Sequence, residues 1–203
     1  AGHGGKDGGC VHNSLIEKKL CLDLALRLER VLKAKGLRVV MTRRTDAFVS
    51  LDGRAAIANR QRNALFVSLH FNANRDKSIS GMEVFYRSDA GRSVGAKILR
   101  SLDVNCKGVK RGLFFQDLKV LRATRMTAVL VEGGYLSNAA ESRLIADPGY
   151  RRQLARAIGT PGTEGIWQRL VQVLVNIIDF KMDVQQAVAM VGAPEEAADA
   201  QAV

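Results

Sequence analysis

Cysteine is scarce in this chain: Cys10, Cys21 and Cys106 make an odd number with no CxxC pair. That gives no disulfide framework and no structural zinc knuckle. Aromatic residues are also thin, at 5%, too few for the stacking platforms on which single-stranded nucleic acid is bound. No uninterrupted apolar stretch approaches the roughly 18 residues of a transmembrane helix. The opening AGHGGKDGG shows no secretory signal.

What is present is an ordinary globular composition. The 203 residues are 47% hydrophobic, enough for one domain with a full core and an appendage. The net charge of +11 is unevenly placed. Residues 1–158 hold 29 Lys and Arg against 14 Asp and Glu, whereas residues 159–203 hold 2 against 6. A basic body suits a polyanionic partner such as nucleic acid, anionic lipid or an acidic wall polymer. Because the cations are scattered and aromatics few, no nucleic-acid partner is expected.

Periodicity divides the first block into elements. Residues 1–14 read as a glycine-rich loop around His3 and Asp7, where the backbone can turn tightly and approach a ligand. From 15 to 35, Leu20, Leu24, Leu28, Val31 and Leu32 recur at helical spacing, and Gly36 is placed as a left-handed cap. Residues 37–42 read as a strand. Ser50 caps a helix over about 51–62. Further strands fall at 65–70, 81–86 and 128–132, and further helices at 93–105, 138–147 and 150–158. Residues 107–124 read as a long basic loop with a short extended piece at 119–121. Gly133 and Gly134 read as a turn. Strands alternating with helices predict an α/β three-layer sandwich, a mainly parallel central sheet with helices on both faces.

The stretch 65–74, LFVSLHFNAN, organises the rest. His70 ends a buried apolar strand, and the polar Asn72 and Asn74 follow it. Ligand-binding groups gather at the carboxyl ends of strands in open α/β sheets, although a core or capping histidine is the plainer reading. Glu132 likewise ends an apolar strand, where a carboxylate is costly unless paired, hydrogen-bonded or near a metal; a salt-bridged or capping acid is the alternative. Glu17 falls in the first turn of a helix, where an acid also complements the macrodipole. Two imidazoles, His3 and His70, with one carboxylate make a three-ligand set for catalytic Zn²⁺. A further carboxylate outside that shell suits a general base.

Seven motifs carry a resemblance: GHGGKDGG (2–9), LIEKKL (15–20), RVVMTRRTDAFVSL (38–51), RAAIANR (54–60), VSLHFNA (67–73), GMEVFY (81–86) and VLVEGGYLSNAAE (129–141). In that order they resemble the zinc-dependent N-acetylmuramoyl-L-alanine amidases of the amidase-3 type, over residues 1–158. The resemblance implies that His3, Glu17 and His70 bind Zn²⁺ and that Glu132 is the catalytic acid/base. It implies hydrolysis of the amide between N-acetylmuramic acid and L-alanine of peptidoglycan, in the periplasm or outside the cell. Asn72 and Arg111 are candidates for binding substrate, and basic residues of 107–125 for gripping stem-peptide carboxylates or wall polymer. Glu83 is expected to be structural and His12 a solvent-exposed loop residue.

Two departures from the family pattern are visible. Its first strand, which precedes Gly-His-Gly-Gly, is not in the sequence, because Ala1 stands directly before Gly2. Neighbouring segments are then expected to lack backbone partners and His3 to hang on a free terminus. The alternative function that follows is a non-catalytic peptidoglycan-binding module. Second, Gly53 replaces an acid and should weaken its helix start. Residues 159–203 form a separate segment, of which 159–190 resemble a fragment of the gamma-glutamyltransferase small subunit. That family's nucleophile region is absent, so no transferase activity is expected. A helix over 166–178 and a disordered acidic tail are expected there.

Overall fold

A computed structural model of the protein describes residues 1–160. The expected helix at 166–178 and the acidic tail lie outside the described residues.

Two short strands open the chain, β1 (Val11–His12) and β2 (Leu15–Ile16), followed by α1 (Glu17–Lys33) and α2 (Leu51–Asn59). Next come β3 (Phe66–Asn72), β4 (Met82–Tyr86), α3 (Asp89–Asn105) and β5 (Lys110–Phe115). The last elements are α4 (Lys119–Arg122), β6 (Ala128–Tyr135), α5 (Ala139–Ala146) and α6 (Pro148–Gly159). The main sheet has the order β3-β6-β4-β5. β3 with β6 and β4 with β5 are parallel, while β4 and β6 run antiparallel. The result is an α/β mixed sheet, two of whose three pairings are parallel, with helices on both faces. No helix among the described residues is long and apolar enough to cross a membrane.

Side-chain alternation sorts the faces. Phe66, Ala128 and Leu130 point to the side of α2 and α4, where they cluster with Ala58, Val120 and Leu121. α1, α3 and α6 pack on the opposite face, burying Leu24, Ile98, Leu102, Leu154 and Ile158. α1 ends as its sequence predicts: Gly36 takes φ +77, its N–H reaching Lys33 O while that of Leu37 reaches Leu32 O, a Schellman cap. Ser50 caps α2 by accepting from Gly53 N, so the glycine at that position supplies the capped N–H. Asn138 caps α5 from Ala140 N and Glu141 N.

Several expectations need correction. The end of the expected loop at 1–14 and the start of the helix expected from 15 are instead two strands, and α1 begins only at Glu17. β1 and β2 form a hairpin whose two loop residues, Asn13 and Ser14, have φ +49 and +62, the signs a type I′ turn requires. His12 therefore lies on β1, half-buried, rather than on an exposed loop. Residues 37–42 form no strand. Leu37, Val39 and Met41 are partly covered and Arg38 and Val40 exposed, so the alternation is present, but no described strand lies alongside to form a ladder. The region 107–124 is instead β5 and α4. Lys110 to Phe115 pair with β4, and Val120 and Leu121, expected to be extended, point from a helical turn into the core. β6 runs through Gly133 and Gly134 to Tyr135, and its pairing with β3 slips between His70 and Asn72; the glycines absorb an irregularity within the strand rather than ending it.

Candidate metal centre

Register alone brings three acidic or basic groups into a row. His70 of β3 pairs with Glu132 of β6, and Glu132 pairs with Glu83 of β4. Directly paired residues project from the same face, so these side chains share the sheet face that carries Phe66 and Leu130. Because β4 is antiparallel to β6, its amino end meets the carboxyl ends of β3 and β6 at one edge.

Glu17 enters this edge as the first residue of α1 and is buried. Its Oε1 lies 2.9 Å from His3 Nε2 and 3.0 Å from His70 Nδ1. It also accepts from Phe71 N at 3.3 Å, and Oε2 accepts from Cys10 N at 2.9 Å. The second nitrogen of each ring is held too, His3 Nδ1 by Asp7 Oδ1 at 2.8 Å and His70 Nε2 by Ser68 Oγ at 3.1 Å. One donor atom each from His3, Glu17 and His70 lies within 4.8 Å of the others. Two imidazoles and a carboxylate converging in this way can hold a metal ion, and the outer oxygens on the rings are the supports that ligating histidines use.

Charges here are strongly perturbed. Burial opposes the charge on Glu17, yet the hydrogen bonds from His3 and His70 hold its carboxyl well below the usual carboxylate range. Burial pushes His70 down. Burial also acts against the His3 imidazolium, but Glu17 and Asp7 outweigh it and raise its pKa. Burial, then the nearby Glu17 and Glu83 carboxylates, push Glu132 well above the usual range. Glu132 Oε2 is buried with no hydrogen-bond partner among the described residues.

Glu83 is more than packing. Its buried carboxylate accepts from Asn72 Nδ2 at 3.0 Å and Tyr135 OH at 2.9 Å, and pairs with Arg111 Nε at 3.2 Å. Asn72 is thus turned inward, its Oδ1 taken by Ala73 N. Arg111 also donates to Tyr135 OH at 2.7 Å.

His3 does not hang free. Arg43 and Arg54 are both buried. Arg43 donates to Gly2 O and Arg54 to His3 O, each at 2.6 Å, and Arg54 also reaches Ala1 O. Gly2 N donates to Leu69 O of β3 at 2.9 Å. Both arginines stand inside quoted motifs, but those motifs give them no role, because their partners are backbone carbonyls. Asp7, four residues after His3 in a glycine-rich loop, was the signal left unread.

Comparison with known proteins identifies the family. The family model "Amidase_3: N-acetylmuramoyl-L-alanine amidase" matches residues 1–161. N-acetylmuramoyl-L-alanine amidase LytC of Bacillus subtilis is 32% identical over 165 residues, covering 77% of this chain and 32% of LytC. The probable cell wall amidase LytH of Staphylococcus aureus is 32% identical over 160 residues, or 53% of its length. The chain therefore spans about a third to a half of these two relatives. The solved catalytic domain of CwlV, an N-acetylmuramoyl-L-alanine amidase from Bacillus (Paenibacillus) polymyxa var. colistinus, superposes with a TM-score of 0.76 at 36% identity, covering 81% of this chain and 93% of that domain. An N-acetylmuramoyl-L-alanine amidase from Clostridium difficile 630 gives 0.76 at 29% identity, covering 89% and 95%. With a family model spanning all but the last segment and solved relatives sharing the same sheet, the chain belongs to the N-acetylmuramoyl-L-alanine amidase family of the Amidase_3 type.

Proposed function

We propose that this chain hydrolyses the amide joining the lactyl group of N-acetylmuramic acid to L-alanine of the peptidoglycan stem, using Zn²⁺ held by His3, Glu17 and His70, in the periplasmic or extracellular envelope where that polymer lies. The observation that carries the reading is the convergence of these three donors beside a Glu132 oxygen that has no partner among the described residues. Two imidazoles and a carboxylate are a known donor set for catalytic zinc.

Zn²⁺ bound there supplies Lewis acidity, polarising the scissile carbonyl and acidifying water toward a pKa of ~7. The chain's own residues do the rest. Asp7 and Ser68 fix the ring orientations of His3 and His70. Glu132 takes the proton of the water that adds to the carbonyl carbon, then passes it to the alanine nitrogen as the C–N bond breaks. The products are the muramic carboxylate and a free alanine amine. Arg111 pairs with Glu83 at the far end of the row, and Asn72 steadies Glu83. The wall-binding module without chemistry depended on an unanchored His3; the grip of Arg43 and Arg54 removes that ground.

Digestion of purified cell wall tests the proposal. New alanine amino termini are expected with zinc present, and Glu132→Gln is expected to lose on the order of 10²–10⁴ in rate while keeping its zinc. No release by a zinc-loaded protein, or full activity in Glu132→Gln, would reject it.

A further inference from the structure

We propose that Arg111 reads a carboxylate on the stem peptide, carried by the residue after the L-alanine whose amide is cut, and that the peptide runs from the metal donors along the row His70, Glu132, Glu83 toward β5. This rests on the amidase reading above.

Direction comes from chemistry and register together. The scissile carbonyl must lie at the His3, Glu17 and His70 donors, and the leaving nitrogen must lie within reach of Glu132. Glu132 stands one strand beyond His70, so the C–N bond points from β3 toward β6. Continuing that line crosses Glu83 on β4 and arrives at β5. Strand spacing is ~4.8 Å, and an extended peptide advances at most ~3.6 Å per residue. A carboxylate one residue past the alanine thus falls over Glu83 and β5, where the Arg111 guanidinium sits.

Arg111 is built for that task and its basic neighbours are not. Lys110 is engaged by Asp103, Lys119 by Asp52 and Arg122 by Asp117. Arg111 is instead fixed by Glu83 through Nε and by Tyr135 through Nη1, and it lies over the Tyr135 ring with its carbon Cζ 5.5 Å from the ring centroid. Its side chain is 37% exposed, and Nη2 has no partner among the described residues. A guanidinium pinned on one side with donors open on the other offers a fixed fork to a planar anion. The half-exposed Phe114 ring lies across Gly112 on the same face, an apolar wall beside the charge.

The test compares two soluble muramyl peptides, identical except that the residue after L-alanine carries a free carboxylate or its carboxamide. Binding is measured by calorimetry and cleavage by kcat/KM on the intact chain. The expected result is a carboxylate preference on the order of tenfold, the low end for a hydrogen bond to a charged group. That ratio should fall to about one in Arg111→Gln and be partly kept in Arg111→Lys, which retains a cation for Glu83. A wild-type ratio near one, or a ratio unchanged in Arg111→Gln, overturns the inference; an equal loss on both peptides is such an unchanged ratio and marks a purely structural arginine. If neither peptide is cut, the amidase reading fails on that arm and the binding ratio still decides the role of Arg111.

Discussion

Gly9 shows how tightly single residues are fitted around the donors. It holds φ +66, and a Cβ there would come within 2.5 Å of Glu17 Oε2 and 2.7 Å of His3 Cδ2. Gly9→Ala therefore strains the backbone and pushes two donors apart at once. We expect at least a tenfold loss of zinc affinity in competition with a chelator, with far-ultraviolet circular dichroism unchanged; wild-type affinity would show that the loop accommodates a methyl group. That His3, Glu17, His70 and Glu132 could meet was legible in the sequence because two sit at the ends of apolar strands, one at a helix start and one in a glycine loop. Arg43 and Arg54 were not, since a cation whose partners are main-chain oxygens looks the same in a sequence as a solvated one. The place of Glu83 beside Glu132 was not legible, because nothing local shows the register that sets it there.

Elements are held by caps and side pairs whose contributions can be separated. Asn138 accepts from two N–H groups at the start of α5 and donates to Lys77 O. Asn138→Ala should cost about 1 kcal/mol in urea unfolding, a typical loss for an N-cap; no change in the midpoint would mean water replaces the cap. On α1, Glu29 is bonded first by Arg44 and then by Lys33, which pull its carboxyl down from 4.5 to about 2. A depressed folded value means the stabilisation is present above pH 4.5 and is lost as pH falls toward 2. Both cations are more than half exposed, so screening limits the effect to about 1 kcal/mol. Glu29→Gln should be less stable than wild type at pH 7, with the gap shrinking below pH 4.5 and closing only below about pH 2; a gap independent of pH would point to packing instead. Element boundaries were legible wherever a capping residue or an apolar period marked them, as at Ser50 and Gly36. β5 was not, because its exposed Lys110, Arg111 and Phe115 lack the alternation of a half-buried strand and pairing with β4 alone defines it.

For the whole molecule, an ion that binds the folded state alone links occupancy to stability. At free zinc a hundredfold above its dissociation constant the fold should gain about 2.7 kcal/mol, seen as a higher melting temperature that a chelator reverses. A melting temperature indifferent to both zinc and chelator would contradict binding at His3, Glu17 and His70. The layered arrangement was legible from the alternation of strands and helices, but the antiparallel junction between β4 and β6 was not, because strand direction is set by connections rather than by composition. The clamp on residues 1–3 has a kinetic corollary. Two of the donors belong to rigid elements, the third to a segment tethered by Arg43 and Arg54 to the stretch around α2. Escape of a captured ion then waits on those guanidinium forks letting go, so metal exchange should be slow and paced by the breathing of the loop that carries His3, while amides of β3 and β6 stay protected from deuterium throughout.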